Sequence, residues 1–169
     1  SADSNLDLIA YAADRLESCG AKIEMSQDPS GLKANLFATL GPDQDGGIVL
    51  SGHTDVVPAN PDEWSTDPFK MFDAGDQLFG RGACDMKGGL AASIIAVEAY
   101  LEMFPNHPGA IEISGTADEE SGGYGGVAYL AEQGIMAKPR IDHVIIPEPL
   151  DKDRVCLGHR GVWWAEIET

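Results

Sequence analysis

The chain of 169 residues carries 28 acidic and 11 basic side chains, and its net charge of −17 argues against nucleic acid or an anionic membrane as a partner, since both bind basic surfaces. Its apolar share of 43% and charged share of 23% are those of a globular protein, its length predicts one domain, and no apolar run is long enough to cross a membrane. Three scattered cysteines and an N-terminal segment without a signal-peptide pattern predict a cytoplasmic protein with reduced thiols.

The first part of the chain predicts one helix followed by three strands. Apolar residues at helical spacing indicate a helix over 6–16, which Ser4 or Asn5 would cap and Gly20 would end. Short apolar segments predict strands over residues 21–25, 35–40 and 48–50. The last of these strands is fully apolar, so we expect it to be covered on both faces of a sheet.

The rest of the chain continues this alternation after a long irregular stretch. Residues 58–76 are rich in Pro, Asp and Asn and predict a loop whose aromatic side chains, Trp64, Phe69 and Phe72, fold back onto the body. Further elements are predicted as helices over 86–104 and 127–133 and as strands over 110–116, 143–146 and 155–167. The alternation predicts an α/β fold, with a mostly parallel, twisted sheet flanked by helices in three layers.

A histidine and an aspartate follow the strand over 48–50. His53 and Asp55 are two residues apart, so on extended backbone their side chains leave the same side. A carboxylate beside a histidine can fix its tautomer and orient its ring, as in many metal sites. Taken alone, the pair is explained more simply as a strand-end histidine and a turn aspartate.

A glycine-rich segment leads into the helix over 86–104. Asp85 stands just before this helix, where an isolated aspartate would be an N-cap. The surrounding glycines indicate backbone packed tightly against a neighbour. Lys87 is unfavourable for the dipole at a helix start, so we expect it to pair with nearby carboxylates.

Carboxylates also follow the two later strands. Asp118, Glu119 and Glu120 end an apolar strand and lead into glycines, which is unusual for a solvated charge run. Because adjacent residues on extended backbone point in opposite directions, one glutamate can bind a cation while its neighbour faces substrate or water. Glu148 follows the strand over 143–146 and lies between two prolines.

Four of these residues form a candidate metal site, because the carboxyl ends of parallel strands lie at one edge of a sheet. They are His53, Asp85, Glu120 and Glu148. Converging carboxylates raise one another's pKa values unless a cation neutralises them. A histidine with several carboxylates suits zinc, cobalt or manganese, and two ions sharing a carboxylate would use the negative charge better than one. Unrelated structural roles for the four residues remain the alternative at this point.

Together these segments resemble the zinc-dependent co-catalytic amidohydrolases and exopeptidases. That family includes acetylornithine deacetylase, succinyl-diaminopimelate desuccinylase, aminoacylase and glutamate carboxypeptidase. The matching motifs are SGHTDVVP at 51–58, GRG at 80–82, DMKG at 85–88, DEE at 118–120 and EP at 148–149. The resemblance also covers residues 33–39 and the loop over 64–69.

The resemblance implies a role for each matching residue. Two divalent ions, zinc first and cobalt or manganese as alternatives, would be bound by His53, Asp85, Glu120 and Glu148. Asp85 would bridge the ions and form a cis peptide bond with the next residue, and Asp55 would orient the histidine. Glu119 would be the general base that takes a proton from a metal-bridging water, which attacks the amide bond of an N-acyl amino acid.

The same resemblance implies that the chain is part of a longer protein. Residues 1–157 would belong to the catalytic domain, and residues 158–169 would begin the junction to a dimerisation domain. The whole protein would then be a homodimer that acts on small-molecule N-acyl amino acids. A later segment would complete the second metal's ligands, because His107 and His159 are better explained as structural or surface residues.

Alternatives to a deacetylase or desuccinylase stay open from the sequence. One is a dipeptidase or carboxypeptidase of the same family. Another is a metal-binding or interaction module that no longer catalyses. A nucleotide site on the glycines at 122–126 is disfavoured, because Glu119 and Glu120 would repel phosphate.

Overall fold

The structure, a computed structural model, describes residues 4–151 and 153–158. The helices of this part are α1 Leu6–Ser18, α2 Lys87–Met103 and α3 Val127–Glu132. Its strands are β1 Lys22–Gln27, β2 Ala34–Leu40, β3 Gly47–His53, β4 Phe72–Asp73, β5 Leu78–Phe79, β6 Ile111–Thr116 and β7 Ile141–Ile145. Among the described residues, no helix has the length and apolar character that a membrane span needs.

The helix ends follow local sequence signals. Gly20 adopts a φ of 88° just after α1, and α2 ends two residues before Pro105, which cannot continue a helix. Of the two expected caps of α1, Ser4 accepts a hydrogen bond from the Leu6 amide at 3.2 Å. Asn5 instead uses its side chain to join β2 to the end of β3.

The main sheet has five strands in the order β1-β2-β6-β3-β7. The pairings β1–β2 and β2–β6 are antiparallel, whereas β6–β3 and β3–β7 are parallel. The predicted α/β class is therefore confirmed, but the sheet is mixed rather than mostly parallel. Its parallel half is the part that carries the candidate site, since His53 is the last residue of β3.

The core lies mainly between the sheet and the two long helices. Leu16 of α1 and Leu90 of α2 pack with Leu36 and Ile113 on one face of the sheet. On the opposite face a smaller cluster joins β2, β3 and β7 to the segment that follows α3, and contains Phe37, Val49, Ile135, Met136 and Ile141. Both faces of the sheet are thus partly covered, which gives the predicted three layers.

Three expectations about burial are wrong in detail. Ile48 of β3 is 41% exposed, whereas the next residue, Val49, is fully buried, so the strand is not covered on both faces along its whole length. In the 58–76 segment Phe69 and Phe72 are 68% and 50% exposed, and Phe72 pairs with Phe79 in the small β4–β5 hairpin. Of the three aromatic side chains Trp64 alone is partly buried, beneath the Arg81 guanidinium.

The expected strand over 155–167 is the remaining difference. Residues 155–158 have no regular structure, and the other residues of that segment lie outside the described part of the chain. His159 and most of the expected junction lie there as well.

Candidate active site

The candidate site lies at the carboxyl ends of the parallel strands β6, β3 and β7. In the parallel register His53 pairs with Thr116, so the acidic turn after β6 begins directly beside the histidine. β7 runs parallel on the other side of β3, which brings Glu148 to the same edge. The expectation that these segments converge at one edge of the sheet is confirmed.

The start of α2 packs closely against this edge. A side chain on Gly89 would approach the main-chain oxygen of Pro147 to 2.4 Å, so only glycine permits this contact. The predicted tight backbone packing is thereby confirmed, and it brings Asp85 next to Glu148. Met86 rather than Asp85 is the N-cap of α2, and the Asp85–Met86 peptide bond is cis, as the resemblance implied.

Three carboxylates surround one ring nitrogen of His53. Its Nε2 lies 3.1 Å from Asp85 Oδ1, 3.3 Å from Glu148 Oε1 and 3.8 Å from Glu119 Oε2. Potential ligand atoms of His53, Asp85 and Glu148 all lie within 4.8 Å of one another. The histidine side chain is only 2% exposed, whereas all three carboxylates remain open to solvent to some degree. Glu120 lies outside this close group of three, although its charge interacts with Asp85.

The other ring nitrogen of His53 faces Asp55. Nδ1 donates to the main-chain oxygen of Asp55 at 3.0 Å and lies 3.6 Å from Asp55 Oδ1. Because the carbonyl oxygen can only accept, Nδ1 carries a proton, so that the neutral form of the ring presents the Nε2 lone pair to a cation. The main chain of Asp55 therefore orients the ring at least as directly as its carboxylate does.

The Asp55 carboxylate has a further function that the sequence did not reveal. Its two oxygens accept hydrogen bonds from the main-chain amides of Glu119 and Glu120, at 3.2 and 3.1 Å. One aspartate thus connects the histidine after β3 to the acidic turn after β6. These amides hold the pKa of Asp55 below its usual value together with the hydrogen bond to His53, against the opposing effect of burial.

The closeness of these groups changes the pKa values of the histidine and of two glutamates. Burial lowers the pKa of His53, but the hydrogen bond to Asp55 and the charge of Glu148 outweigh it and raise the pKa to about 9. Burial and the charge of Asp85 raise the pKa of Glu120, and burial also raises that of Glu148. Burial and the repulsion from Asp85 thus favour the protonated forms of Glu120 and Glu148.

Several residues behave differently from the sequence expectation or were missed by it. Lys87 makes no ion pair within 4.0 Å of any described residue, and burial lowers its pKa against the attraction of Asp55. Lys33 and Asn35 contact the segment that carries Glu119 and Glu120. Asn35 could have been noticed as a polar residue near the start of an otherwise largely apolar strand, and the structure shows that this strand is buried throughout.

An α/β sheet with a histidine and converging carboxylates at its carboxyl edge is typical of metal-dependent enzyme domains. The sequence profile of the peptidase family M20/M25/M40 matches residues 49–159, well over half of the chain. The chain belongs to peptidase family M20/M25/M40, whose members include a metallo-carboxypeptidase described below.

Individual relatives agree with this assignment. The chain is 42% identical over 165 residues to a succinyl-diaminopimelate desuccinylase of Xylella fastidiosa, an alignment covering 95% of this chain and 43% of that protein. Human carnosine dipeptidase 1 superposes with a TM-score of 0.69 at 30% identity, over 83% of this chain and 32% of that chain. An M20 metallo-carboxypeptidase of Sulfolobus solfataricus shares the fold, with a TM-score of 0.67 at 24% identity and coverage of 83% and 32%. The chain therefore spans less than half the length of these relatives.

Proposed function

We propose that this chain carries the catalytic residues of a hydrolase that cleaves the amide bond of N-acyl amino acids. The single observation that carries the proposal is the group of Asp85, Glu119 and Glu148 carboxylates around His53 Nε2. The 42% identity to a protein named succinyl-diaminopimelate desuccinylase supports a desuccinylase or deacetylase. In this proposal the 1–157 segment is part of the catalytic domain and 158–169 leads to a dimerisation domain, so that the whole protein is a homodimer. We propose a cytoplasmic location for it as well.

The residues fit divalent cations. One imidazole nitrogen and carboxylate oxygens form a nitrogen–oxygen donor set suited to zinc, cobalt or manganese. Burial, and to a smaller extent the charge of Asp85, raises the pKa values of Glu120 and Glu148, and a cation would offset that repulsion. His53, Asp85, Glu120 and Glu148 would hold two such ions, zinc first. When bound, the ions would polarise the substrate carbonyl and make the attacking water more acidic.

Glu119 is the general base in this proposal. Its side chain is half exposed and its Oε2 lies 3.8 Å from His53 Nε2, so it stands at the open side of the ligand group. It would accept a proton from the water whose oxygen attacks the amide carbon. It would then donate that proton to the leaving nitrogen as the carbon–nitrogen bond breaks, which yields a carboxylate and a free amine. Asp55 would keep the base in place through the amide of residue 119.

A groove beside the site is large enough for a small substrate. Its volume is about 980 Å³, and Asp85, Glu119 and Glu148 contribute to its lining. Apolar side chains of β7 and the residue after it, Val144, Ile145 and Ile146, line it as well. Small-molecule sites commonly combine such apolar walls with a few polar groups.

A histidine substitution tests the metal assignment. In His53→Ala we expect the affinity for zinc to fall by more than the ~10–100-fold that is typical for loss of an outer hydrogen-bond partner, because a direct ligand is removed. Elemental analysis and calorimetry measure the effect. His143→Ala is the matched control, since His143 is exposed on β7 and lies outside the group. Unchanged metal content in His53→Ala would exclude His53 as a ligand.

A substrate assay tests the reaction. The whole protein, stripped with a chelator and reloaded with zinc, cobalt or manganese, is expected to release free amine from N-succinyl- or N-acetyl-amino acids. The same preparation is offered unmodified dipeptides, because the 30% identity to carnosine dipeptidase 1 favours a dipeptidase as the second candidate. Cleavage of dipeptides alone would replace the first function by the second. Absence of cleavage for every substrate and metal would contradict both.

A further inference from the structure

A single buried side chain joins the two ends of the segment that carries Glu119 and Glu120. Asn35 of β2 is only 4% exposed. Its Oδ1 accepts a hydrogen bond from the Ala117 amide at 3.0 Å, and its Nδ2 donates to the main-chain oxygen of Gly125 at 2.8 Å. Residues 117–125 form a loop that is closed at its base by this asparagine, and we call it the acidic loop.

An ion pair holds the same loop near its beginning. Lys33, two residues before Asn35, pairs with the Asp118 carboxylate, and both side chains are largely buried. Asp118 has a φ of 62°, a conformation that residues with a side chain rarely adopt and that Asp tolerates better than most. Its main-chain oxygen accepts hydrogen bonds from the amides of Ser121 and Gly123, so the tight turn after it depends on this conformation.

Gly125, at the other end of the loop, lies directly against the Asp118 side chain. A side chain on Gly125 would approach Asp118 Oδ2 to 2.6 Å, so the glycine lets the two ends of the loop meet. The turn directs the amides of Glu119 and Glu120 toward the Asp55 carboxylate. The acidic loop is therefore held from β2 by Lys33 and Asn35, and from the end of β3 by Asp55.

We propose that Lys33 and Asn35 are positioning residues that fix where the acidic loop presents the Glu119 and Glu120 side chains. Neither is in the group of residues around His53 Nε2, so both would act through the loop backbone. This inference rests on the proposed function for its kinetic consequence. Its structural part, the fixed loop, is independent of any substrate.

The kinetic test uses Lys33→Met in the whole protein. This substitution keeps most of the side-chain length but removes the charge that holds Asp118. We expect kcat to fall by ~10–100-fold, as for other groups that orient a metal ligand, with KM changed by less than ~3-fold. Lys33→Arg restores the ion pair and is expected to recover most of kcat. Lys22→Met is the matched control, because Lys22 also forms ion pairs but is 62% exposed and belongs to β1.

The structural test is hydrogen exchange in the metal-free protein. In Lys33→Met we expect the amides of Glu119 and Glu120 to exchange roughly 10-fold faster, while the paired amides of β3 and β6 keep their rates. Zinc affinity measured by calorimetry should fall as well, because Glu120 would be less well placed. If Lys33→Met does not fold, Asp118→Asn removes the same ion pair and keeps a residue that tolerates positive φ.

The outcomes separate this proposal from the proposed function. Wild-type kcat and wild-type exchange of the acidic loop in Lys33→Met would overturn the positioning role. A loss of kcat in Lys33→Met that Lys33→Arg does not restore, together with faster exchange throughout the sheet, would show a general loss of stability. That result would also overturn the positioning role. If the wild-type protein hydrolyses nothing but loop exchange and zinc affinity still respond to Lys33→Met, the positioning role stands and the proposed function fails.

Discussion

Replacing Glu119 by glutamine is expected to lower kcat by roughly 10²–10⁴-fold while metal content stays near the wild-type value. Glutamine has almost the same shape as glutamate, but its amide cannot accept and release the proton that the reaction moves. The main-chain amide of residue 119 still donates to Asp55, so the acidic loop should keep its position. Single-turnover kinetics together with elemental analysis measure the two quantities separately.

Two further variants control this experiment. Glu132→Gln removes one negative charge from an exposed position on α3 and should leave kcat unchanged. Glu120→Gln is expected to lower metal affinity as well as kcat, because we propose Glu120 as a ligand. Activity near the wild-type level in Glu119→Gln would show that another group moves the proton.

The location of the site was predictable because each of its residues adjoins an element with a clear sequence pattern. His53 ends an apolar strand, Glu148 follows another, and Asp85 precedes the most regular helix. Parallel strands bring their carboxyl ends together whatever their detailed register. The positions of His53 and Glu148 at strand ends therefore favoured their meeting at one edge, with unrelated structural roles as the alternative that the sequence left open.

The direction of strand pairing was harder to predict from the sequence. Apolar periodicity identifies a strand but does not tell whether its neighbour runs parallel or antiparallel. Only six residues connect β1 to β2, and a parallel connection needs a dozen or more, so this length does indicate an antiparallel pair. The antiparallel pairing of β2 with β6 joins segments that are about 70 residues apart and has no comparable local signal.

The supporting contacts of the site were not predictable for a similar reason. The partners of Lys33 and Asn35 lie 85 and 82 residues further along the chain. The Asp55 carboxylate accepts hydrogen bonds from two main-chain amides. Every residue type except proline has such an amide, so the residue types at 119 and 120 do not reveal this contact in the sequence. The sequence thus shows which residue types the candidate site contains, whereas their placement depends largely on backbone geometry.

A second large effect is expected away from the site, at a buried ion pair. Glu112 of β6 is 1% exposed and accepts a hydrogen bond from Arg140 Nε at 3.0 Å. The guanidinium also donates to Thr39, contacts Glu24 and lies over the Phe37 ring. Burial raises the pKa of Glu112 in spite of Arg140, which means that the protein has little other compensation for this charge.

Arg140→Met should therefore lower the free energy of unfolding by about 3 kcal/mol or more at pH 8, the usual cost of leaving one partner of a buried pair uncompensated. The loss should be smaller at pH 5.5. A carboxyl group whose folded-state pKa is raised contributes stability at pH values below its unfolded-state pKa and loses that contribution as pH rises through the folded-state pKa. Without the guanidinium the pKa of Glu112 rises further, so the neutral carboxyl persists to higher pH.

Urea unfolding of wild type and variant at pH 5.5, 7 and 8 gives the difference in the free energy of unfolding between the two proteins at each pH. Taking this difference cancels the titration of the groups that both proteins share. Arg154→Met makes the same change in net charge at an exposed surface pair with Asp151, and should change the free energy of unfolding by less than about 1 kcal/mol. Adding Glu112→Gln to Arg140→Met removes the stranded charge and should recover much of the loss at pH 8. An equal loss at pH 5.5 and pH 8 would instead attribute the effect to lost packing of the guanidinium on Phe37.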